Sequence, residues 1–309
     1  MQMMLNNDRL ARLRGSILGV LAALLCFGAP CFAQSQPAPQ KLTIGLIPEL
    51  NIFRQKERFK LLEEYLSKRT GIPVQFTVLS RYGNIIDRFT SDKLDGAFFG
   101  SFTGALAIRK LGVVPLARPL NEDGTSAYQG YLFVRKDSGI TQASEMKGKR
   151  MAFVDKATTA GYVFPLAWLK KNGIASPDGF FGEYFFTGSH DASISAVLNG
   201  KADIGAAKHS VYEKIRKEEP RVNRELMVLA RSPWVPSNGL CVRKDLDPAV
   251  QKALKDALLG LDKDAEGKRV LEQLGVRSFI ETAAKDYEPV FDLARKAGID
   301  IRTYQYRNE

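Results

Sequence analysis

The sequence contains few cysteine and histidine residues, with three cysteines and two histidines in 309 residues. Two of the cysteines lie in an N-terminal segment that we expect to be removed, so Cys241 has no partner for an internal disulfide. We interpret Cys241 as a small buried hydrophobic residue and His209 as structural. His190 and His209 have no neighbouring cysteine, which disfavours a zinc site. We therefore expect no bound metal and no cofactor.

Motifs of common enzyme classes are also absent. The sequence has no G-x-S-x-G, no H-E-x-x-H and no P-loop. These absences favour a binding protein over an enzyme. An enzyme built on the fold described below is the alternative, and conversion of a bound ligand would identify it.

Apolar runs long enough to span a membrane are missing too, since the run from Ile17 to Phe27 is interrupted by Gly19 and falls short of about 20 residues. The run follows three arginines and precedes the small residue Ala33, a pattern typical of a secretory signal peptide. We predict that residues 1–33 form this signal, that residues 34–40 are a flexible lead-in, and that the protein is exported to the periplasm. Retention of the signal as a membrane anchor is the alternative.

Acidic residues are fewer than basic ones, and the formal net charge is +11. This surplus suits an anionic ligand. The basic residues form no continuous run, because they alternate with glutamate along predicted helices such as FRQKERFKLLEEYLSKR. We therefore predict no nucleic-acid partner. A DNA-binding surface, the alternative, would show strong and salt-sensitive DNA affinity.

The sequence does contain a regular alternation of strand and helix patterns. The segments KLTIGLIP, VQFTVL and LDGAFFG predict strands, with helices between them, one of which ends at Gly71. The same alternation returns from KRMAFVD to ADIGAA, where Gly173 ends a helix. Such alternation predicts an α/β fold with mostly parallel sheets covered by helices. The segment after Asp247, an N-cap followed by Pro248, predicts helices only.

Two α/β lobes are expected from the chain length and from an internal similarity. IIDRFTSDKLDGAFFG and SISAVLNGKADIGAA share a helix, a polar turn and an aspartate before a small-residue strand, which makes Asp95 and Asp203 equivalent. A single core rarely spans a chain of this length. We predict one lobe from residues 41–129 plus 239–309 and another from residues 130–238. Crossings near SAYQGY and WVPSNGL would form a hinge beside a cleft.

The stretch DKATTAGYVFP, residues 155–165, connects a predicted strand to a predicted helix. Small hydroxyl residues at a helix start bring backbone N–H and side-chain O–H donors together, and such donors can hold an anion. The hydroxyls of Thr158 and Thr159, with the amides that follow them, are therefore candidates for an anion site. The alternative is that a threonine in this position only caps the helix.

Six stretches that occur in order resemble one protein family. They are GLIPELN, RYGNIIDRF, LDGAFFGSFTGALA, KATTAGYVFP, FTGSHDASISAVLNGKADIGAA and SPWVPSNGLCVRKD, and they span nearly all of residues 41–245. Together they resemble the periplasmic phosphonate-binding proteins of ABC transporters, a branch of the two-lobed type II solute-binding fold. The resemblance implies two lobes, two hinge crossings and a ligand held in the cleft.

The resemblance also implies a set of ligand-binding residues. The family holds a phosphonate group with a Ser-Thr-Ser-Gly turn, two tyrosines and a histidine. The turn falls on residues 158–161, where alanine replaces the third hydroxyl residue, and the histidine falls on His190. The tyrosines fall on Tyr82 and Phe99, so one phenol is lost. Ser101, two positions after Phe99, would replace part of it.

Departures from the family pattern narrow the range of ligands that we expect. Members that take aminoalkylphosphonates carry acidic residues for the ammonium group at positions that fall on Ser210 and Asn238, which are neutral. A buried ammonium without a carboxylate partner is strongly disfavoured. We therefore predict a compact oxyanion such as phosphite, phosphate or a small alkylphosphonate, with sulfate left open. The predicted ligand-binding residues are Tyr82, Phe99, Ser101, Thr158, Thr159, Ala160, His190 and Asn238.

Two partners suit such a receptor. The closed, ligand-bound form would deliver its ligand to an ABC permease at the inner membrane. The alternative is a periplasmic sensor that presents the ligand to a membrane histidine kinase. We expect a monomer in either case.

Overall fold

The structure, a computed structural model, describes residues 40–49 and 52–307. The predicted signal peptide, and all but the last residue of the predicted lead-in, lie outside the described residues. The described chain forms two larger sheets flanked by helices and one two-stranded ladder. The predicted two-lobed α/β architecture is therefore confirmed.

The elements are named here in chain order. The strands are β1 (Leu42–Leu46), β2 (Val74–Val78), β3 (Gly96–Phe99), β4 (Val114–Leu120), β5 (Ala127–Tyr128), β6 (Gly130–Arg135), β7 (Arg150–Phe153), β8 (Glu183–Phe186), β9 (Ile204–Lys208), β10 (Leu226–Arg231), β11 (Val235–Pro236), β12 (Gly239–Val242) and β13 (Ser278–Glu281). The α-helices are α1 (Ile52–Thr70), α2 (Asn84–Ser91), α3 (Ser101–Leu111), α4 (Phe164–Lys171), α5 (His190–Leu198), α6 (His209–Glu218), α7 (Pro220–Glu225), α8 (Pro248–Leu259), α9 (Ala265–Leu274) and α10 (Glu288–Lys296).

In both larger sheets most of the strands run in the same direction. The first has the order β13-β4-β12-β3-β1-β2, in which β12 and β13 run against the other strands. The second has the order β10-β6-β9-β7-β8, in which β6 runs against the others. The first sheet draws its strands from residues 42–120 and 239–281, and the second from residues 130–231. We propose that the lobe boundaries fall at the predicted positions between these ranges.

The two segments that connect the sheets pair with each other. β5 and β11 form an antiparallel ladder in which Val235 lies opposite Tyr128 and Pro236 lies opposite Ala127. Just beyond the ladder, the Ser237 amide donates to the Ser126 carbonyl at 3.0 Å. These segments coincide with the predicted crossings SAYQGY and WVPSNGL. Two short paired strands therefore connect the lobes, which is the usual construction of a hinge.

Asp95 and Asp203 occupy equivalent places before β3 and β9, as the internal similarity predicted. The Asp95 amide donates to the Thr43 carbonyl, and Asp95 Oδ2 accepts from the Thr43 amide, each at 2.9 Å. Asp203 makes the same two bonds with the backbone of Arg150, also at 2.9 Å. Each carboxylate also binds an arginine side chain, Arg243 for Asp95 and Arg150 for Asp203. The same arrangement therefore aligns neighbouring parallel strands in both sheets.

Helix ends follow the signals in the sequence. Asp247 Oδ1 accepts from the Ala249 amide at 2.7 Å, and Pro248 is the first residue of α8. Gly71 and Gly173 follow α1 and α4 with φ of 69° and 82°, a left-handed conformation that glycine adopts without steric cost. These local signals set where the covering helices begin and end.

The prediction that the chain is purely helical after Asp247 is wrong at one place. Ser278–Glu281 forms β13, which pairs antiparallel with β4 at the edge of the first sheet. Phe279 is buried and Glu281 is exposed, but four residues give too short an alternation to be recognised between two helical patterns. The flanking helices cover the first sheet, where α8 and α9 pack against α1, while α10 packs against α3 and α4.

We predict that Asp95→Ala lowers the free energy of unfolding by about 2–3 kcal/mol, because it removes the acceptor of the Thr43 amide and the partner of Arg243. Asp203→Ala should cost less, about 1 kcal/mol, because the side chains of the Arg150–Asp203 pair are more exposed. Urea denaturation measures both losses. Equal losses in the two variants, or no loss for Asp95→Ala, would contradict the prediction.

Candidate functional site

Polar side chains gather where strands of the two sheets end. Residues at the carboxyl ends of parallel strands share one edge of a sheet, and ligands of α/β proteins bind at such edges. The residues in these positions are Glu49 after β1, Tyr82 after β2 and Ser101 after β3 in the first sheet, and Thr158 and Thr159 after β7, His190 after β8 and Lys208 at the end of β9 in the second. The carboxyl ends of both sheets therefore face the same site.

These side chains enclose a small cavity of about 10 Å³, called the inner cavity below. It is lined by Ile47, Glu49, Tyr82, Gly100, Ser101, Phe102, Tyr128, Ala157, Thr158, Thr159, His190, Lys208 and Asn238. The predicted ligand-binding residues among them are Tyr82, Ser101, Thr158, Thr159, His190 and Asn238. The volume is close to that of one water position.

The turn after β7 begins with a single π-helical turn, Thr159–Val163, which leads into α4. Thr158 is extended, and its Oγ1 donates to the Asp155 carbonyl at 2.6 Å. The Val163 amide donates to the Thr158 carbonyl at 3.1 Å, which is the wider spacing of a π turn. The first amides of the turn have no preceding helical carbonyl to bind, so they remain donors at the positive end of a helix.

Two buried hydroxyl groups of the inner cavity have no hydrogen-bond partner within the described residues. They are Tyr82 Oη from the first lobe and Thr159 Oγ1 from the second. The Tyr128 hydroxyl lies near Thr159, but the two groups do not meet in hydrogen-bonding geometry. Burial raises the pKa of Tyr82 well above its usual value, so its phenol stays protonated. Unpaired buried hydroxyls cost about 1–3 kcal/mol each, which favours a polar ligand at this place.

His190 is buried and supplies a neutral donor. Its Nδ1 accepts from the Lys208 amide at 3.2 Å, which assigns the ring proton to Nε2. Burial lowers the pKa of His190 to about 4, although the negative charge of Glu49 opposes the shift. The ring packs edge-on against Tyr82, with ring centres 6.0 Å apart. At neutral pH the imidazole therefore offers an N–H group and no positive charge.

The Ser101 hydroxyl is already hydrogen-bonded to both crossing segments. Its Oγ lies 2.6 Å from Tyr128 Oη and 2.9 Å from the Pro236 carbonyl oxygen. Because a carbonyl only accepts, Ser101 donates its proton to Pro236 and accepts from Tyr128. These bonds do not support the predicted role of Ser101 as a replacement donor for the ligand. The side chain instead joins α3 to both crossing segments.

Phe99 and Ala160, which were also predicted to contact the ligand, do not line the inner cavity as the structure describes it. Phe99 is fully buried and packs against Phe89, with ring centres 5.7 Å apart. Ala160 lies against the start of β6, where a Cβ placed on Gly130 would be 2.9 Å from Ala160 Cα. Close packing on Gly130 favours a small residue at position 160. The backbone amide of Ala160 is what this residue can contribute.

Glu49, which lies in the stretch GLIPELN, and Lys208 were not among the predicted ligand-binding residues, and they form an ion pair between the lobes. Lys208 Nζ lies 3.0 Å from Glu49 Oε1, and the two side chains are 13% and 16% exposed. Lys208 Nζ also lies 4.7 Å from the centre of the Tyr128 ring. Burial raises the pKa of Glu49, but the positive charges of Lys208 and Arg58 outweigh it and bring the pKa to about 2. The pair adds no net charge to the site.

A larger outer cavity of about 750 Å³ adjoins the inner one. The two share Ile47, Glu49, Tyr128, Lys208 and Asn238 as lining residues. Further lining residues include Arg54, Arg58, Phe59, Phe98, Ser210, Lys214 and Phe279. The Glu49–Lys208 ion pair therefore lies at the boundary between the cavities. Ser210 and Asn238, the neutral residues at the predicted outer end of the pocket, both border the outer cavity.

Within residues 40–49 and 52–307, no group of three or more His, Cys, Asp or Glu side chains is arranged to hold a metal ion. In the same ranges, no helix combines the length and apolar character needed to cross a bilayer. His209 accepts from the Gln129 amide through Nδ1 at 3.1 Å and packs against Trp234. These contacts suit the structural role predicted for His209.

Comparisons with known proteins point to one family. A family model described as "ABC transporter, phosphonate, periplasmic substrate-binding protein" matches residues 44–287. The chain is 27% identical to a probable ABC transporter phosphite binding protein, PhnD1, of Prochlorococcus marinus, over 87% of this chain and 93% of the relative. It is 28% identical to the phosphate-import protein PhnD of Mycolicibacterium smegmatis, over 76% of this chain and 77% of the relative.

A solved structure is also similar to this chain in fold and sequence. PhnD1 of Prochlorococcus marinus in complex with methylphosphonate matches with a TM-score of 0.73 and 25% identity, over 84% of this chain and 99% of that chain. These relatives are named as binding or import proteins and not as enzymes. The family model likewise describes a substrate-binding protein, which agrees with the prediction that the chain is not an enzyme.

We predict that lowering the pH from 7 to 4 destabilises the ligand-free protein more than its His190→Asn variant. A histidine with a pKa of 6.5 in the unfolded chain and about 4 in the folded protein binds its proton preferentially when unfolded, so stability falls as the pH drops through this window. The difference specific to His190 should be about 2–3 kcal/mol, measured by urea denaturation at several pH values. Asparagine keeps an acceptor for the Lys208 amide.

His209→Asn is the matched control, because His209 is less deeply buried and makes a similar bond through Nδ1. Its removal should change the pH dependence less. The contribution of Glu49 belongs to a lower pH window and is common to all three proteins. If His190→Asn lost as much stability as the unaltered protein, a neutral buried His190 would be excluded.

Proposed function

Because the chain belongs to the family of periplasmic substrate-binding proteins of phosphonate ABC transporters, we propose that it captures a small phosphorus oxyanion in the inner cavity and delivers it to a membrane permease. The oxyanion is phosphite, phosphate or a short alkylphosphonate. Relatives named for phosphite and for phosphate, and a relative solved with methylphosphonate, support this ligand class.

The observation that carries the proposal is the pair of unpartnered hydroxyls in the inner cavity. Tyr82 and Thr159 approach it from opposite lobes, and both are buried. The Nε2–H of His190 and the amides of the turn after β7 add further donors. A tetrahedral oxyanion presents several acceptor oxygens, so donors from two sides replace the water that it loses on burial.

The inner cavity has room for about one water molecule, so it must widen to hold any of these ions. Its volume of about 10 Å³ is that of one water position, so the ion enters only when the lobes move apart. The short β5–β11 ladder allows such a movement. Closure on the ion then brings the two sets of donors together, and the permease recognises the closed form.

Family membership implies that the mature protein acts in the periplasm. We propose that residues 1–33 are the signal that directs it there, on the sequence pattern of basic residues, an apolar run and a small residue at 33. A monomer is sufficient for this function, because both lobes of the site come from one chain.

We predict that phosphite, phosphate or methylphosphonate raises the melting temperature of the protein, while sulfate and 2-aminoethylphosphonate raise it less. A ligand that binds only the folded state at 100 times its Kd stabilises by about 2.7 kcal/mol. Thermal-shift fluorimetry with these five probes, followed by calorimetry, measures the effect. No shift with any of the first three would contradict the proposed function, and recovery of a converted ligand would favour an enzyme.

We further predict that Thr159→Val weakens binding of the preferred oxyanion by about 1–3 kcal/mol, because a hydroxyl donor is lost. The same change should leave the stability of the ligand-free protein equal or higher, because Thr159 Oγ1 has no partner in the described protein. Calorimetry gives the affinity and urea denaturation gives the stability.

Thr158→Val is the matched control. Its Oγ1 already donates to the Asp155 carbonyl at 2.6 Å, so its removal should lower stability by about 1 kcal/mol. The two neighbouring threonines are thus expected to give opposite effects on stability. Unchanged affinity in Thr159→Val would remove this hydroxyl from the site.

A further inference from the structure

The ion pair of Glu49 and Lys208 lies where the inner cavity meets the outer one. Glu49 follows β1 of the first sheet, and Lys208 is the last residue of β9 in the second. Both side chains line both cavities, and both are largely buried. A substituent carried by an ion in the inner cavity would meet this pair before it reached the outer cavity.

Lys208 pairs with the Glu49 carboxylate, whose negative charge would otherwise act directly on the ligand. The Nζ–Oε1 distance of 3.0 Å is that of a direct hydrogen-bonded ion pair. Arg58, the other cation acting on Glu49, donates through Nη2 to the Leu274 carbonyl at 2.6 Å and through Nε at 3.2 Å. Arg58 is therefore held by α9, and Lys208 is the cation in direct contact with Glu49.

A buried carboxylate without this lysine would repel an oxyanion and attract a cation. A ligand that carried both an oxyanion and an ammonium group would then suit the site, because its ammonium could replace the lysine. With Lys208 in place, the carboxylate is already paired, and a second ammonium would meet a like charge. The chain thus contains its own substitute for a cationic ligand group.

We propose that Lys208, paired with Glu49, determines specificity by excluding phosphonates with an ammonium-bearing substituent and admitting those with a short uncharged one. The proposal rests on the proposed binding of phosphorus oxyanions in the inner cavity. It also complements the neutral residues Ser210 and Asn238, because Glu49, the acidic residue among those that line the inner cavity, is paired with Lys208.

The test uses three probes in calorimetry: methylphosphonate, n-propylphosphonate and 2-aminoethylphosphonate. The last two have the same length and differ in a terminal methyl or ammonium group. The unaltered protein should prefer n-propylphosphonate to 2-aminoethylphosphonate. Lys208→Met should shift this preference at least tenfold toward the ammonium ligand, because Glu49 loses its partner.

Two further variants separate charge from size. The double variant Glu49→Gln, Lys208→Met should lose the gained preference, because no carboxylate remains for the ammonium group. Lys208→Gln retains a hydrogen-bond donor for Glu49 and should shift the preference in the same direction as Lys208→Met. Lys208→Gln is the variant to measure if Lys208→Met does not fold. Lys255→Met is the matched control, since it breaks the Lys255–Glu281 pair of 2.9 Å, whose residues do not line either cavity.

The outcomes distinguish the role of Lys208 from the proposed binding of phosphorus oxyanions. Binding of methylphosphonate by the unaltered protein, with the same preference ratio in the folded lysine variants, would overturn the role of Lys208 and leave the proposed function intact. A shift of equal size in Lys255→Met would also overturn it. Failure of the unaltered protein to bind methylphosphonate, phosphite and phosphate would instead overturn the proposed function.

Discussion

Closure of the cleft buries polar groups and removes the water that would otherwise be hydrogen-bonded to them. The carboxyl ends of parallel strands from two sheets meet there, and the helices and turns that follow them begin with free amides and hydroxyl side chains. Burial removes water from these groups, yet Tyr82 and Thr159 find no partner in the described protein. Closure without an acceptor is therefore costly, and closure around an oxyanion recovers that cost. The hinge and the turn after β7 are useful to the proposed function because the closed form is less stable when empty than when it contains an oxyanion.

Charges in the site are balanced by the chain itself. Glu49 and Lys208 neutralise each other, and burial keeps His190 uncharged at neutral pH. The attraction of an anion at long range can come from the positive net charge of the chain, whereas the contacts in the inner cavity are dipolar. The proposed site would hold an oxyanion by hydrogen bonds, without a direct ion pair to a free cation. Release to a permease then requires the loss of hydrogen bonds only, which suits a protein that must bind and deliver.

Local patterns explain what could be predicted from the sequence and what could not. Alternation of strands and helices predicted the α/β class, and the chain length with the internal similarity predicted two lobes. The family motifs agree with the match over residues 44–287. The strand Ser278–Glu281 was missed because four residues carry too little periodicity. Glu49 and Lys208 are ordinary charged residues at strand ends, and their pairing depends on how two sheets face each other. Ser101 was predicted to contact the ligand from its position two residues after Phe99, and its bonds to the crossing segments join residues too far apart in the chain to be predicted from local patterns.

Hydrogen bonds close to the candidate site also join segments of the two lobes. Tyr304 Oη, in the segment after α10, donates to the Lys156 carbonyl at 3.0 Å, two residues before Thr158. Ser101 in turn ties the start of α3 to both crossing segments. Each of these bonds contributes only about 1 kcal/mol net. An oxyanion that adds several hydrogen bonds in the closed form alone shifts the equilibrium decisively. A permease that recognises the closed lobes therefore recognises the presence of the ligand.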